Sequence, residues 1–355
     1  MDLYNKVIDL LKAGGKALIV TVISCPDNPP LVGSKGLYSD SGLLAGNLDP
    51  AISAAAAPLI GQATASNESC VETIVDSKLG EIKLYFQSLL PSPRLIILGG
   101  GHVGGALCKM AALLDYQIVI IDDRPSFANE EIHPAAHRVI CDPFEKALDA
   151  LEPSVLDYIV IVTRGHRYDR LCLEKSLNRD AAYLGMIGSR IRVQAQLQEL
   201  AEDGYSEEKL KKVHAPIGLS IGAVTEPEIA LSILAEITAV RRRSSRTEAA
   251  QDLVLGDLVT IEKSGRRAAL VTIVETFGST PRKAGSQMIV YPDGKTTGTI
   301  GGGCSEADAR REALLQIDQG RPLLFRQRLT AEAAEEEGMA CGGIMDLFIE
   351  PLSQS

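Results

Sequence analysis

The sequence predicts an α/β protein in which a parallel-sheet domain is flanked by two related, smaller α+β modules. Two observations predict this arrangement. The central part of the chain alternates apolar, strand-like runs with helical patterns, which is typical of a parallel sheet. The ends repeat one another, since LIVTVIS, GSKGLYSDSG and GEIKLYF near the N-terminus match LVTIVET, GSQMIVYPDG and GGIMDLF near the C-terminus. We therefore expect the outer two modules to share one fold.

Changes in the sequence pattern set the expected domain boundaries. We expect residues 1–90 to form the N-terminal module and 91–242 the parallel-sheet domain. Residues 243–250 then form a polar linker, and 251–355 form the C-terminal module. Each of the three modules has a length at which a domain can bury its own core.

Composition narrows the class of protein. The 355 residues carry a net charge of −10, which disfavours nucleic-acid binding because that function needs a basic face. Neither a membrane span nor a secretory signal is recognisable, so we expect a cytoplasmic protein that binds no membrane. The seven cysteines are odd in number and irregularly spaced, which disfavours a disulfide framework.

The central domain opens with a glycine motif that follows a strand and begins a helix. In RLIILGGGHVGGAL, Gly99, Gly101 and Gly104 form GxGxxG, and Asp122 ends the next predicted strand. We expect all four residues to contact a ligand. In this motif the first glycine allows a tight turn, the second lets backbone approach a pyrophosphate, and the third packs helix on strand. These features predict a Rossmann-like fold. A nicotinamide dinucleotide is one candidate ligand, and related folds hold other phosphorylated ligands at the same glycines.

Polar residues and glycines follow two further predicted strands of this domain. Ligands of open α/β sheets lie at the carboxyl ends of the strands. We therefore expect ligand contacts from Arg164, His166, Gly188, Ser189 and Arg190. The alternative is that these residues belong to surface loops whose polar groups are already satisfied.

Two glycine-framed cysteines distinguish the C-terminal repeat from the N-terminal one. The motifs are TIGGGC and ACGGIMDLF, and they supply the candidate residues Gly301, Gly302, Gly303, Cys304, Cys341, Gly342 and Gly343. Aligning the two repeats places Cys304 opposite Asp49 and Cys341 opposite Leu79. The repeat therefore separates a shared scaffold from residues that can carry chemistry.

The two cysteines have several possible roles. Cys304 precedes Ser305, the predicted N-cap of a helix, and a thiol at a helix N-terminus gains thiolate character. Glu306 in the first turn opposes that effect. Zinc usually takes four ligands from closely spaced pairs, and the chain has no CxxC, so we expect no metal site. Reactive thiols, soft ligands for a cofactor and small buried residues stay open. Arg282, in GSTPRKAGSQM, adds a cation suited to anionic oxygens.

These motifs resemble those of the xanthine dehydrogenase accessory factor family, also called the XdhC/CoxI family. ETFGSTPRKAGSQM, TIGGGC and ACGGIMDLFIEPL are similar to its cysteine-bearing module. LGGGHVGGAL, IIDDRP, TRGHRYD, LGMIGSR and PIGLSIGAVTEPEIALSI resemble its Rossmann module. Two features depart from the usual arrangement: the cysteine module follows the Rossmann module, and an extra copy, interpreted as cysteine-free, occupies the N-terminus.

The resemblance implies a maturation factor, an accessory protein more than an enzyme. Such proteins bind the molybdenum cofactor (molybdopterin), protect it while a cysteine desulfurase supplies a sulfido ligand, and deliver it to a molybdenum hydroxylase such as xanthine dehydrogenase. On this interpretation Cys304 and Cys341, the candidate catalytic residues, lie near the molybdenum or its sulfur. The Rossmann glycines would meet the pterin phosphate or an attached nucleotide. We expect a homodimer whose C-terminal copy faces the nucleotide-type cleft.

Two other classes of function stay open. An NAD(P)-dependent oxidoreductase would use the GxGxxG unit with His166 or a cysteine at the substrate. A nucleotide-sensing regulatory module would need no reactive cysteine at all.

Overall fold

The computed structural model describes residues 2–66, 69–114, 116–243, 252–328 and 343–352. The chain divides into two compact units: Met1–Pro91 with Thr247–Ser355, and Ser92–Arg246. The N- and C-terminal modules thus form one unit together, which the sequence did not predict. The proposed linker at 243–250 lies, apart from its first residue, outside the described residues.

The N-terminal module is a five-stranded sheet with two helices. Its elements are α1 (Leu3–Lys12), β1 (Ala17–Ser24), a 3-10 turn (Pro29–Leu31), β2 (Lys35–Ser39), β3 (Gly42–Gly46), α2 (Pro50–Ser66), β4 (Cys70–Asp76) and β5 (Gly80–Leu89). The strand order is β3-β2-β1-β5-β4, and every neighbouring pair is antiparallel. β1 is apolar and almost wholly buried, so both faces of the sheet are covered at its centre.

The central unit is a six-stranded parallel sheet covered by helices. Its elements are β6 (Arg94–Leu98), α3 (His102–Ala111), a 3-10 turn (Ala112–Leu114), β7 (Gln117–Asp122), β8 (Arg138–Cys141), α4 (Phe144–Asp149), β9 (Asp157–Ile161), α5 (His166–Ser176), β10 (Tyr183–Met186), α6 (Arg190–Glu202), α7 (Glu207–Lys211), β11 (Val213–His214) and α8 (Glu226–Arg243). Apolar clusters pack on both faces of this sheet. The order β11-β10-β9-β6-β7-β8 is that of a Rossmann fold, so the predicted fold class is confirmed.

The C-terminal module has the same order of elements as the N-terminal module. Its elements are α9 (Asp252–Ser264), β12 (Ala268–Phe277), β13 (Gln287–Val290), β14 (Thr296–Gly298), α10 (Gly303–Gln319), β15 (Leu323–Arg328) and β16 (Ile344–Leu352). The strand order β14-β13-β12-β16-β15 repeats that of the first sheet. Even the irregularity in the central pairing recurs, between Val22 and Ser24 in one copy and Ile273 and Glu275 in the other.

The register of the two sheets corrects the alignment around Cys304. Helix α2 begins at Pro50 and helix α10 at Gly303. Cys304, the second residue of its helix, is therefore equivalent to Ala51 and not to Asp49. Counted from the equivalent residues Gly46 and Gly298, the loop before the helix is one residue longer in the C-terminal copy, whereas a match with Asp49 would need a loop three residues longer. Cys341, which the sequence placed opposite Leu79, lies outside the described residues.

The interpretation of the N-terminal module as cysteine-free is wrong. Cys25 and Cys70 lie in it, Cys25 buried and Cys70 partly buried. Cys25 donates a weak hydrogen bond to the Leu79 carbonyl oxygen at 3.7 Å. The module lacks only the pair of glycine-framed cysteines. Its own two thiols pack as small apolar residues.

The two modules bury equivalent faces against each other. One shared apolar cluster contains Ile19 and its equivalent Leu270, together with Val7 and its equivalent Leu258. A second shared cluster joins Ile23, Tyr85, Val274 and Phe348, which are again two equivalent pairs. Contact through the same patch on both partners is the pattern of a symmetric dimer. This unit therefore packs as a dimer fused into one chain.

Within the described part of the chain, no helix combines the length and apolar character needed to cross a membrane.

Candidate functional site

The glycine loop of the central unit lies where its sheet changes direction. Strands β6 and β9 are neighbours at the centre of the sheet. Strands β7 and β8 lie on one side of this pair, and strands β10 and β11 lie on the other. Loops that follow adjacent strands diverge at such a point and leave a crevice at the carboxyl edge. The loops after β6 and β9 carry the predicted residues Gly99, Gly101, Arg164 and His166, so the structure brings them to one edge of the sheet.

The three motif glycines have the geometry that their predicted roles require. Gly99 has a φ of +120°, and a Cβ there would collide with the Val162 carbonyl oxygen. Gly104 lies directly against the carbonyl oxygen of Gly99, so only glycine allows the helix to approach the strand. Gly101 precedes α3, and a Cβ on it would meet no atom within 4 Å. Gly101 thus leaves space at the helix N-terminus, where amides favour an anion.

Asp122, at the end of β7, accepts hydrogen bonds from groups of the chain itself. Its Oδ2 accepts hydrogen bonds from the Gly100 amide at 2.9 Å and from the Arg124 guanidinium at 2.9 Å. Its Oδ1 accepts from the Arg124 amide and Nε. Burial alone would raise the pKa of Asp122, but these hydrogen bonds outweigh it and lower the pKa. Asp122 is thus a buried anchor that ties the glycine loop to Arg124, and its contact with a ligand stays a prediction.

Arg164 is held at the same edge by a second carboxylate. Its guanidinium donates to both oxygens of Asp123, at 3.0 and 2.9 Å, and to the Tyr168 hydroxyl at 2.8 Å. The hydrogen bond to Tyr168 raises the pKa of Arg164. Bidentate pairing fixes the orientation of a guanidinium plane, which suits recognition of an anionic group. His166 is the first residue of α5.

The residues after β10 form the start of a helix. Ser189 caps α6 by accepting a hydrogen bond from the Arg192 amide at 3.4 Å, and Arg190 is the first helical residue. A Cβ on Gly188 would touch Val193 at 3.0 Å. Gly188 and Ser189 thus have a local structural role, and their contact with a ligand stays a prediction.

A carboxylate occupies the glycine loop of the C-terminal module. Glu306 Oε1 accepts hydrogen bonds from the Gly302 amide at 2.9 Å and the Ile300 amide at 3.1 Å. It also accepts one from the Thr299 hydroxyl. Burial opposes ionisation of Glu306, but these donors prevail and lower its pKa. The loop that precedes Cys304 is therefore organised around an anion supplied by the chain itself.

Three glycine-bearing segments of this module meet at one place. A Cβ on Gly301, whose φ is +132°, would lie 2.5 Å from Pro281 Cγ and 3.7 Å from Arg282 Cγ. A Cβ on Gly343 would collide with the Ser279 carbonyl oxygen and approach Thr280 Cγ2 at 2.7 Å. The structure thus brings the predicted residues Arg282, Gly301 and Gly343 together. Their glycines permit contacts that any side chain would prevent.

Cys304 is the second residue of α10, directly after this glycine loop. The helix begins at Gly303, so the predicted N-cap Ser305 is instead a helical residue, and its hydroxyl donates to the Gly302 carbonyl oxygen at 2.7 Å. The early start arises because Gly302 adopts a conformation with φ of +78° that ends the loop. Cys341 and Gly342 lie outside the described residues. Among the residues that the structure describes, no three His, Cys, Asp or Glu side chains are grouped as metal ligands.

Sequence reasoning missed two parts of this geometry. Glu306 was expected only to oppose a thiolate at Cys304, and Arg124 and Tyr168 were not singled out. The signal for Glu306 is a first-turn glutamate directly after a glycine run, where free amides need an acceptor. The signal for Arg124 is its position after two aspartates at a strand end.

Fold and site together define a two-part protein. One part is a Rossmann-like domain with an open glycine loop, and the other is a duplicated module in which glycine segments surround the start of a cysteine-bearing helix.

Comparison with known families agrees with this division. Residues 95–237 match the family model described as the XdhC Rossmann domain, and residues 261–327 match that of the XdhC and CoxI family. Together these matches cover more than half of the chain. The chain belongs to the XdhC/CoxI family.

Three curated proteins are similar to parts of the chain. An uncharacterized protein, YqeB of Escherichia coli K12, is 37% identical over 153 residues, which are 43% of this chain and 28% of YqeB. A probable xanthine dehydrogenase subunit of Bacillus subtilis 168 is 28% identical over 160 residues, 45% of this chain and 46% of that protein. The molybdenum cofactor insertion chaperone PaoD of Escherichia coli K12 is 48% identical over 58 residues, 16% of this chain and 18% of PaoD. The matches thus span less than half the length of each relative.

Proposed function

We propose that this chain is a maturation factor that binds the molybdenum cofactor and supports its sulfuration and insertion into a xanthine dehydrogenase-type hydroxylase. The observation that carries this proposal is the meeting of the segments around Arg282, Gly301 and Gly343 beside the helix start that bears Cys304. Family membership and the similarity to an insertion chaperone support it. The cofactor is cargo here, and the hydroxylase is the partner that receives it.

The C-terminal module supplies the chemistry on this proposal. Its glycines allow a bulky ligand to approach the backbone, and Arg282 offers a guanidinium for anionic oxygens. The amides of the loop are already bound by Glu306, so the loop keeps its shape before cargo arrives. Such preorganisation lowers the entropic cost of binding. Cys304 then supplies a soft sulfur ligand or a sulfur carrier for the molybdenum.

On this proposal the Rossmann-like unit has an anion-binding site of its own. Gly101 leaves room at the start of α3, and Arg164 is oriented by Asp123. These features suit the phosphate of the pterin or of an attached nucleotide.

The test is activation of a molybdenum hydroxylase apoenzyme. Purified protein, molybdenum cofactor and a cysteine desulfurase with its cysteine substrate are incubated with apo-xanthine dehydrogenase, and enzyme activity is measured over time. We expect activation by the wild type and loss of about tenfold or more in Cys304→Ala. Cys141→Ala is the matched control, because Cys141 is an exposed thiol of the other unit. Equal activation by wild type and Cys304→Ala would refute the role of that thiol.

An NAD(P)-dependent oxidoreductase is the second candidate, and the open space at Gly101 favours it. Asp122 weighs against it, because the carboxylate that usually accepts from a ribose hydroxyl is fully hydrogen-bonded to Gly100 and Arg124. Titration of reduced nicotinamide dinucleotides, followed by their fluorescence, separates the candidates. Tight binding with turnover would favour the oxidoreductase over the maturation factor.

A further inference from the structure

A polar cavity of about 500 Å³ lies where the N- and C-terminal modules pack together. We call it the inter-module cavity. The start of α1, the start of β2, the end of α9 and the end of β16 form its walls. Its polar side chains are Tyr4, Lys35, Asn47, Glu262, Arg266 and Glu350. None of the residues of the Cys304 loop lines it, and the proposed function makes no use of it.

The internal repeat provides a comparison for this cavity. Each residue has an equivalent on the opposite side of the module interface, given by the strand register. Lys35 is equivalent to Gln287, because Lys35 lies opposite Thr21 in the first sheet and Gln287 lies opposite the equivalent Thr272 in the second. Glu350 in β16 is equivalent to Gln87 in β5. A buried ion pair on one side thus corresponds to two glutamines on the other.

The remaining charged residues of the cavity follow the same pattern. Counted from the paired strands β1 and β12, Glu262 is equivalent to Leu11 and Arg266 to Gly15. All four charged residues of the inter-module cavity therefore have uncharged equivalents. The cavity and the equivalent region on the opposite side of the interface thus differ in charge, although equivalent apolar residues of both modules form the contact between them.

Packing between the modules does not explain these charges. The side chains of Lys35 and Glu350 are only 10% and 15% exposed, and removing such charges from water is costly. The uncharged equivalents Gln287 and Gln87 are also buried, so the modules pack at that position without an ion pair. The charged residues of the inter-module cavity therefore need another explanation, and binding of a ligand provides one.

Three of the four charged side chains of the cavity already have partners within the chain. Glu350 is paired with Lys35. Glu262 accepts hydrogen bonds from the amides of Leu3 and Tyr4, at 3.0 and 3.3 Å, at the positive end of α1.

Arg266 is the remaining charged residue of the wall. Its guanidinium carbon lies 4.7 Å from the centre of the Tyr291 ring, and Asp293 interacts with it electrostatically, without an ion pair among the described residues. The side chain is exposed at the mouth of the cavity, where a ligand can reach it.

We propose that the inter-module cavity binds a small organic anion with one acidic group. Arg266 binds the acidic group, and the body of the ligand lies against the apolar wall formed by Leu258, Ile261 and Leu352. The volume lies within the range of small-molecule sites in proteins, about 300–1,000 Å³.

The test uses anilinonaphthalene sulfonate, a fluorescent probe with an apolar body and one sulfonate. We expect saturable binding to the full-length protein. Arg266→Gln should weaken it about tenfold, because a hydrogen-bonded charge contact is lost. Arg267→Gln is the matched control: this neighbouring arginine pairs instead with Asp318 at 3.0 Å, and its loss should leave probe affinity unchanged.

A second variant keeps the test independent of Arg266. The double substitution Lys35→Gln and Glu350→Gln gives the cavity the glutamine pair of the opposite side, and we expect it to fold and to bind the probe more weakly. Absence of saturable binding, or equal losses in Arg266→Gln and Arg267→Gln, would overturn the proposal. So would loss of binding in Gly101→Val with full binding in Arg266→Gln, because the probe would then occupy the Rossmann glycine loop.

Discussion

Glu306 is the acceptor around which the loop before Cys304 is organised, so its removal is a direct test of the site geometry. The perturbation is Glu306→Gln, which keeps the shape of the side chain but removes its charge. Hydrogen bonds to a charged group contribute about 1.5–3 kcal/mol each, and water competes for a half-buried carboxylate. We expect the free energy of opening of the loop to fall by about 2 kcal/mol. This value is well below the summed contributions of the three hydrogen bonds to Glu306.

The assay is hydrogen exchange of the backbone amides of Ile300 and Gly302, the two that donate to Glu306. A loss of about 2 kcal/mol accelerates exchange from the open loop about thirtyfold. Glu312→Gln is the matched control, since Glu312 lies further along the same helix and should not affect these amides.

The effect should depend on pH in one direction. The pKa of Glu306 is lowered in the folded protein, so its ionised form stabilises the loop above the ordinary glutamate pKa of about 4.3. That contribution is lost as the pH falls through the lowered pKa. The difference between wild type and Glu306→Gln should therefore be large at neutral pH and small in acid. Equal exchange in both proteins at neutral pH, or a difference that does not change with pH, would refute this reasoning.

Three further predictions concern the stability of the protein and substitutions within each unit. Lys35→Gln alone leaves Glu350 charged and buried, and should lower the free energy of urea unfolding by about 3 kcal/mol. Adding Glu350→Gln should bring stability back to within about 1 kcal/mol of wild type, and no recovery would contradict the assigned pair. Gly104→Ala should lower stability by about 1–3 kcal/mol in the same assay, because its Cβ has no room beside the Gly99 carbonyl. Gly101→Ala should leave stability unchanged within about 0.5 kcal/mol while weakening ligand binding, and a large stability loss would show that the space is not open.

The roles of the Rossmann glycines could be predicted from the sequence. Only glycine tolerates the φ of Gly99 or the contact of Gly104 with backbone, so residue type and spacing together predict the geometry. The internal repeat could also be predicted from the sequence, because the central strands β1 and β12 have similar apolar sequences and the same pairing register.

Other features depended on three-dimensional contacts that the sequence does not record. The motif marks Asp122 as an acid at a strand end, but the way Arg124 folds back onto it decides that its oxygens are occupied. The equivalence of Cys304 with Ala51 depends on the length of the loop between strand and helix in each copy, which the sequence motifs alone do not determine. The pairing of Lys35 with Glu350 joins residues at opposite ends of the chain, so no local pattern predicts it.

The proposed function requires that the module bearing Cys304 holds the molybdenum cofactor. The most direct measurement is the amount of molybdopterin retained by purified protein after loading and gel filtration, determined from its fluorescent oxidation product. We predict near-stoichiometric retention by the wild type and by Cys141→Ala, and a loss of about tenfold or more in Cys304→Ala. Absence of molybdopterin from the loaded wild-type protein would contradict the account.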